Sequence, residues 1–185
     1  MRAGRRYRGY VAQRTGFLGL ISRLFGSTST RSPSPSPRPA APQVGRSGST
    51  ATREIVPPPA NALRIAYAPQ PDGDPDAGEI IWTWVPYAEN DGRGKDRPVL
   101  VIGRESADRV YAVRLTSKAH DGDRDFLPIG AGAWDAQGRP SWIDIEQLYS
   151  VHTAGMRREA SALDLDRFVR VASALHTRYG WAVGN

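Results

Sequence analysis

The 185-residue chain contains no cysteine. Disulfides and thiolate metal sites are therefore excluded, and a reducing compartment is compatible with the composition. Histidine is scarce. His120, His152 and His176 are scattered and show no metal-ligand spacing, so neither a zinc centre nor any other metal or cofactor is expected. Long apolar runs are also missing: none reaches the roughly 18 residues that a membrane-spanning helix needs. The stretch "GFLGLI", 16–21, follows an Arg-rich start, but it is too short for a secretory core. Arg23 interrupts it and no small-residue cleavage site follows closely, so the expected location is the cytoplasm.

Acidic residues are almost absent from the first third of the chain. Residues 1–60 carry ten arginines and one acid, Glu54, whereas residues 61–185 carry fifteen basic and eighteen acidic side chains. The net charge of +6 thus belongs to the tail. A remainder that is slightly acidic is not a blanket nucleic-acid binder. Any contact it makes with RNA must come from a local basic cluster.

The tail is read as an extension without a core of its own. Residues 1–13 are basic with interleaved aromatic and aliphatic residues. Residues 14–25 place Phe17, Leu20, Ile21 and Leu24 at helical spacing, flanked by Arg14 and Arg23. That is a short amphipathic basic face for a membrane surface or a partner, although Gly16 and Gly19 weaken a helix there. Residues 26–60, with "STSTRSPSPSPRPAAPQ" and "PPP", read as a part-extended, part-flexible stretch. The expectation is a disordered extension over 1–60, a linker over 61–77 and a folded domain over 78–181.

From residue 78 strand patterns dominate. "GEIIWTWVPY" alternates Ile80, Trp82 and Trp84 against Ile81, Thr83 and Val85. After the polar loop "AENDGRGK", 88–95, comes "RPVLVIG", 97–103, then a turn, then "RVYAVRLTS", 109–117. A second polar loop, 118–125, leads to "FLPIG", where Pro128 suits a sheet edge. "SWIDIEQLYSV", 141–151, is read as one further strand. The period then switches. "SALDLDRFVRVASALHTRYG" sets Leu165, Phe168, Val169, Ala172 and Leu175 on one helical stripe, with Ser161 as a capping-box start and Gly180 as the stop. The expected fold class is mainly β with a C-terminal helix, built as a small, curled, mostly antiparallel barrel.

Arg97 is singled out because it is a permanent cation at the mouth of an apolar strand. A turn near Ser106–Ala107 joins strands 97–103 and 109–117, and opposed residues in a hairpin keep a constant index sum. Setting Gly103 opposite Val110 puts Arg97 opposite Thr116, Val99 opposite Arg114 and Val101 opposite Ala112. Opposed Cβ atoms lie roughly 4.5–5.5 Å apart on one face. A slip of one residue would bring Leu115 or Ser117 to Arg97 instead. Two of these three registers pair a planar five-donor cation with a hydroxyl, which is a candidate phosphate cradle.

The order "GEIIWTWVPY", polar loop, "KDRPVLVIG", "YAVRLTSKAHD", "EQLYSV", terminal helix resembles the PemK/MazF family of toxins from about Gly78 to Trp181. The resemblance implies an SH3-like barrel, a homodimer, and a metal-independent endoribonuclease held in check by a cognate antitoxin. Operator DNA would be bound only through the antitoxin complex. The family's catalytic arginine corresponds to Arg97 and its strand-end hydroxyl to Thr116, with Ser117 adjacent. The family's Gln-x-Arg-Thr pattern reads Gln147-Leu148-Tyr149-Ser150 here, without the arginine. Its Arg-x-Asp pair reads Asp144-Ile145-Glu146.

Metal-free RNA cleavage requires a base for the ribose 2′-OH, a cation for the phosphorane and an acid for the leaving 5′ oxygen. Arg97 suits the cation and Thr116 suits phosphate orientation. Glu146, Asp144 and His120 are the candidates for proton transfer. Arg93 and Lys95 on one loop, and Lys118 and Arg124 on the other, would follow single-stranded RNA, with Trp134 or Tyr87 stacking bases. The competing reading is a non-catalytic SH3-like barrel that binds a protein or nucleic acid.

Overall fold

The computed structural model describes residues 44–89 and 91–184. The expectations for residues 1–43, including the amphipathic stretch 14–25, lie outside the described residues. The expected class is the one observed: antiparallel β structure with one helix near the C-terminus. The strands are β1 (Arg53–Ile55), β2 (Arg64–Ala66), β3 (Glu79–Pro86), β4 (Gly94–Arg104), β5 (Arg109–Thr116), β6 (Phe126–Gly130), β7 (Ser141–Asp144), β8 (Leu148–His152), β9 (Met156–Ala162) and β10 (Ala182–Gly184). The helix α1 spans Leu165–Tyr179. The main sheet runs β1-β8-β5-β4-β3-β9, with β7 on β5 and β6 on β7.

Alternation along β3 and β4 divides the interior in two. Ile80, Leu100 and Ile102 join a core with α1, β2 and Trp181. Ile81, Val85, Val99 and Val101 join the other face with Ala112, Tyr149 and Val151. This period of two is what a strand buried on both faces requires.

The β4–β5 hairpin departs from the expected register beyond Val101, and its pairing ends at Val99–Arg114, short of the expected Arg97–Thr116 pair. A bulge after Val101 pairs Gly103 with Tyr111 and Arg104 with Val110. Nearer the mouth, Val99 faces Arg114 and Val101 faces Ala112, as the index sum requires. At Gly103 a Cβ would stand 2.8 Å from Leu63 Cδ1, so glycine lets the β2 segment pack directly on β4.

The single strand expected over 141–151 is broken. Asp144 Oδ1 accepts hydrogen bonds from the amides of Glu146 and Gln147, at 2.9 and 3.2 Å, which turns the chain between β7 and β8. As a result β8 pairs with one half of β5, Arg109–Ala112, and β7 with its end, Leu115–Thr116.

Residues 44–77 are not a disordered extension and linker. Glu54 of β1 pairs with Tyr149 of β8, and the Arg109 guanidinium donates to the carbonyls of Ser49 and Ala51 at 3.0 and 2.7 Å. β2 runs parallel to β10, and Leu63 and Ile65 are buried in the core. Strands of three residues carry no readable period, and β1 and β2 find their partners near the far end of the chain. Proline-rich composition therefore dominated the sequence signal.

On α1 the stop at Gly180 holds, with φ 74°. The start does not: Asp164 caps the helix by accepting from the Arg167 amide at 3.0 Å, while Ser161 lies in β9. The buried stripe is Phe168, Val171, Ala172 and Leu175. Leu165 and Val169, expected on it, are 52% and 49% exposed. Among the described residues no helix is long and apolar enough to cross a membrane.

Candidate functional site

The Arg97-Pro98 step confines Arg97 to extended backbone, and β4 holds it opposite Thr83 of β3. Thr83 is buried, and its hydroxyl donates to the Gly155 carbonyl at 3.1 Å. Arg97 is half-buried. Its Nε is enclosed and has no hydrogen-bond partner among the described residues.

Arg97 and Thr116 line two adjoining grooves together. One groove also carries Arg114, Lys118, His120 and Phe126. The other carries Lys95, Ser117, Asp135 and Arg139. The chain has only two lysines, Lys95 and Lys118, and both are here.

The electrostatics follow from this crowding. Burial, then the Arg114 guanidinium, pushes the pKa of Arg97 below the usual arginine range. Arg97, then burial, then Arg139 pushes Lys95 below the usual lysine value. Groups that repel one another in this way are stabilised by an anion placed between them.

Two of the cations have carboxylate partners that orient them. Arg114 Nε and Nη2 lie 2.8 and 2.7 Å from Asp144 Oδ2. Arg139 Nε lies 2.7 Å from Asp135 Oδ2. His120 stacks on Phe126 with ring centroids 3.5 Å apart and planes 10° apart, and its Nδ1 is 3.4 Å from Asp123 Oδ2.

The structure thus gathers Arg97, Thr116, Ser117, His120, Lys95 and Lys118 from the sequence candidates. It sets Glu146, Arg93 and Arg124 apart, and it buries Asp144 behind Arg114, and Trp134 in the wall of the Arg139 groove. Glu146 is 60% exposed and faces Arg178, on a surface shared with Glu54 and Gln147. Asp144 is 1% exposed and its two oxygens are taken by Arg114 and the turn amides, which leaves it to orient rather than to accept a proton. Arg93 is tied to Asp91 at 2.6 Å in an exposed loop, with Tyr87 beneath it. Arg124 lines a separate hollow with Ser173 and Arg178 of α1. Trp134 is 3% exposed, donates its indole N–H to Ser141 Oγ at 3.0 Å and packs on Gly132, so it has no free face for a base.

Arg114, Asp135 and Arg139 were not among the sequence candidates. Arg114 was within reach: the same index sum sets it opposite Val99, on the face of Arg97. Arg139 follows a turn whose return to the groove depends on the pairing of β6 with β7.

Residues 76–178 match the family model for the PemK-like, MazF-like toxin of type II toxin-antitoxin systems. The chain belongs to this toxin family. Solved structures similar to it include MazF from Deinococcus radiodurans, at 21% identity and TM-score 0.46, covering 58% of this chain and 97% of that one. The Mycobacterium tuberculosis toxin MazF-mt6 is similar at 16% identity and TM-score 0.42, covering 56% and 97%. An endoribonuclease in complex with its cognate antitoxin, from Mycobacterial species, is similar at 14% identity and TM-score 0.45, covering 56% and 93%. No curated protein matches the chain. In this PemK/MazF-like toxin the family match begins after β1 and β2 and includes Arg97, Arg114, Thr116 and His120.

Proposed function

We propose that this toxin is an endoribonuclease that cleaves single-stranded RNA without a metal ion. The observation that carries this reading is the half-buried Arg97, with its unpartnered Nε, on a wall shared with Thr116 between two cation-lined grooves. The scissile phosphate binds on that wall. The ribose 2′-OH gives its proton to His120 as its oxygen attacks phosphorus, the bond to the 5′ oxygen breaks, and the proton passes from His120 to that oxygen. The products carry a 2′,3′-cyclic phosphate and a 5′-OH. Arg97 stays charged throughout and neutralises the phosphorane, and the Thr116 hydroxyl orients a phosphate oxygen. His120 is the proton-transfer group, since it is the imidazole lining the same groove and Glu146 and Asp144 are engaged elsewhere.

The partners that go with this reading are a cognate antitoxin protein, operator DNA reached only through the antitoxin complex, and a second copy of the chain. The test is incubation of the full chain with varied single-stranded RNAs in EDTA, followed by analysis of product ends. Cyclic phosphate and 5′-OH ends are expected. A folded protein that binds RNA and never cuts it would replace this reading with the non-catalytic binding barrel.

A further inference from the structure

Arg114 has no counterpart among the sequence candidates, yet its setting is more constrained than that of any other cation in the grooves. It lies on β5 opposite Val99, so it shares a face with Arg97 two positions away on β4. Its guanidinium is fixed by two contacts to a single oxygen of Asp144, at 2.8 and 2.7 Å. The other Asp144 oxygen is held by the amides of Glu146 and Gln147. The carboxylate is buried and cannot swing away. Only the Nε edge and one terminal nitrogen of the guanidinium are used, and Arg114 lines the groove with Arg97, Thr116, Lys118 and His120.

A guanidinium that served only to neutralise Asp144 would have no reason to border a groove already crowded with cations. Asp144 and Glu54 both act on Arg114, but neither lines the groove with Arg97, Arg114 and Lys118. That lining holds cations without an acid among them and suits an anion, which the fork of Arg114 is preset to meet. We propose that Arg114 is a second phosphodiester-binding residue, which grips the RNA backbone beside the phosphate on Arg97, and that Asp144 is its positioning residue. This inference rests on the ribonuclease reading for its substrate class.

The decisive variant is the double change Arg114→Gln with Asp144→Asn. It removes the groove cation and leaves a neutral hydrogen-bonding pair instead of a stranded buried carboxylate. The probe is a mixed-sequence 2′-O-methyl oligoribonucleotide, which binds but has no free 2′-OH. Affinity is measured against salt for the full chain. Loss of one phosphate contact lowers the magnitude of the log–log slope by about 0.7 for a single strand, and weaker binding at low salt accompanies it. Arg114→Lys keeps the charge, so it retains the slope while losing the fork, and its KM for cleavage rises. Asp144→Asn alone leaves the cation loosely held: KM rises while kcat stays near wild type. A merely structural ion pair would lower the melting temperature and move neither slope nor KM.

A folded double variant with the wild-type salt slope overturns the inference even if the protein cuts RNA. A reduced slope in a protein that never cuts upholds Arg114 as a backbone contact while the ribonuclease reading fails. A wild-type chain that does not bind the probe at low salt overturns both.

Discussion

The hydroxyl of Thr52 lies 2.7 Å from that of Thr83, the residue that β3 sets opposite Arg97. One contact thus joins the segment before β1 to the strand that backs the candidate site. The sheet path begins at β1 and reaches β3 only at its fifth strand, so this contact brings the sheet back on itself.

Truncation should therefore be costly well before the family match begins. Removing residues 1–66 strips β1 from the edge of β8 and takes Leu63 and Ile65 out of the core. The shortened chain is expected to lose cooperative unfolding in urea. Ile65→Ala in the full chain should cost about 2–5 kcal/mol, the range for a buried large aliphatic residue. A fragment starting at residue 67 with wild-type stability would refute this account.

Arg97→Ala should lower the rate of RNA cleavage by about 10²–10³, the usual loss for one transition-state donor. Arg97→Lys should recover little of it, because a point charge does not reproduce the planar fork. Both variants should unfold at the wild-type temperature, since Arg97 is half-buried and belongs to neither core, although β4 begins before it at Gly94. Single-turnover cleavage with a circular dichroism melt decides the matter.

Glu54 supplies a pH-dependent term. Partial burial in β1 raises its pKa, Arg114 opposes that rise, and Asp144 and Glu146 add to it. The folded state therefore holds the Glu54 proton more tightly than the unfolded state. The sign follows: relative stability is greatest below the ordinary glutamate range and falls as pH rises through the raised value. Glu54→Gln should raise the melting temperature at neutral pH and leave it near wild type at low pH. Melting curves that shift equally at both ends of the range would contradict this.

Gly132→Ala tests how the Arg139 loop is held. A Cβ at Gly132 would fall 2.0 Å from the Trp134 ring, and that ring anchors the segment carrying Asp135 and Arg139. The expected cost is about 1–3 kcal/mol from overpacking, read in urea unfolding with a change in tryptophan fluorescence. An unchanged midpoint would show that the loop is not set by this contact.

Local pattern was sufficient for the strands of the central hairpin, for the helix and its glycine stop, and for the opposition of Val99 to Arg114 and of Val101 to Ala112. Those features depend on periods of two and 3.6 and on a turn closed within a few residues, all of which are written in neighbouring positions. The break between β7 and β8 was hidden, because it depends on Asp144 capping two amides rather than on apolar alternation. β1, β2 and β10 were hidden for another reason: strands of three residues draw their stability from partners that only the folded chain supplies. The site divides along the same line. Arg97, Thr116 and the two lysines follow from strand ends and adjacent loops, whereas the commitment of Asp144 to Arg114, the burial of Trp134 and the removal of Glu146 from the groove are tertiary outcomes. Burial and partner choice set what a charged or aromatic side chain can do, and neither is encoded at a single position.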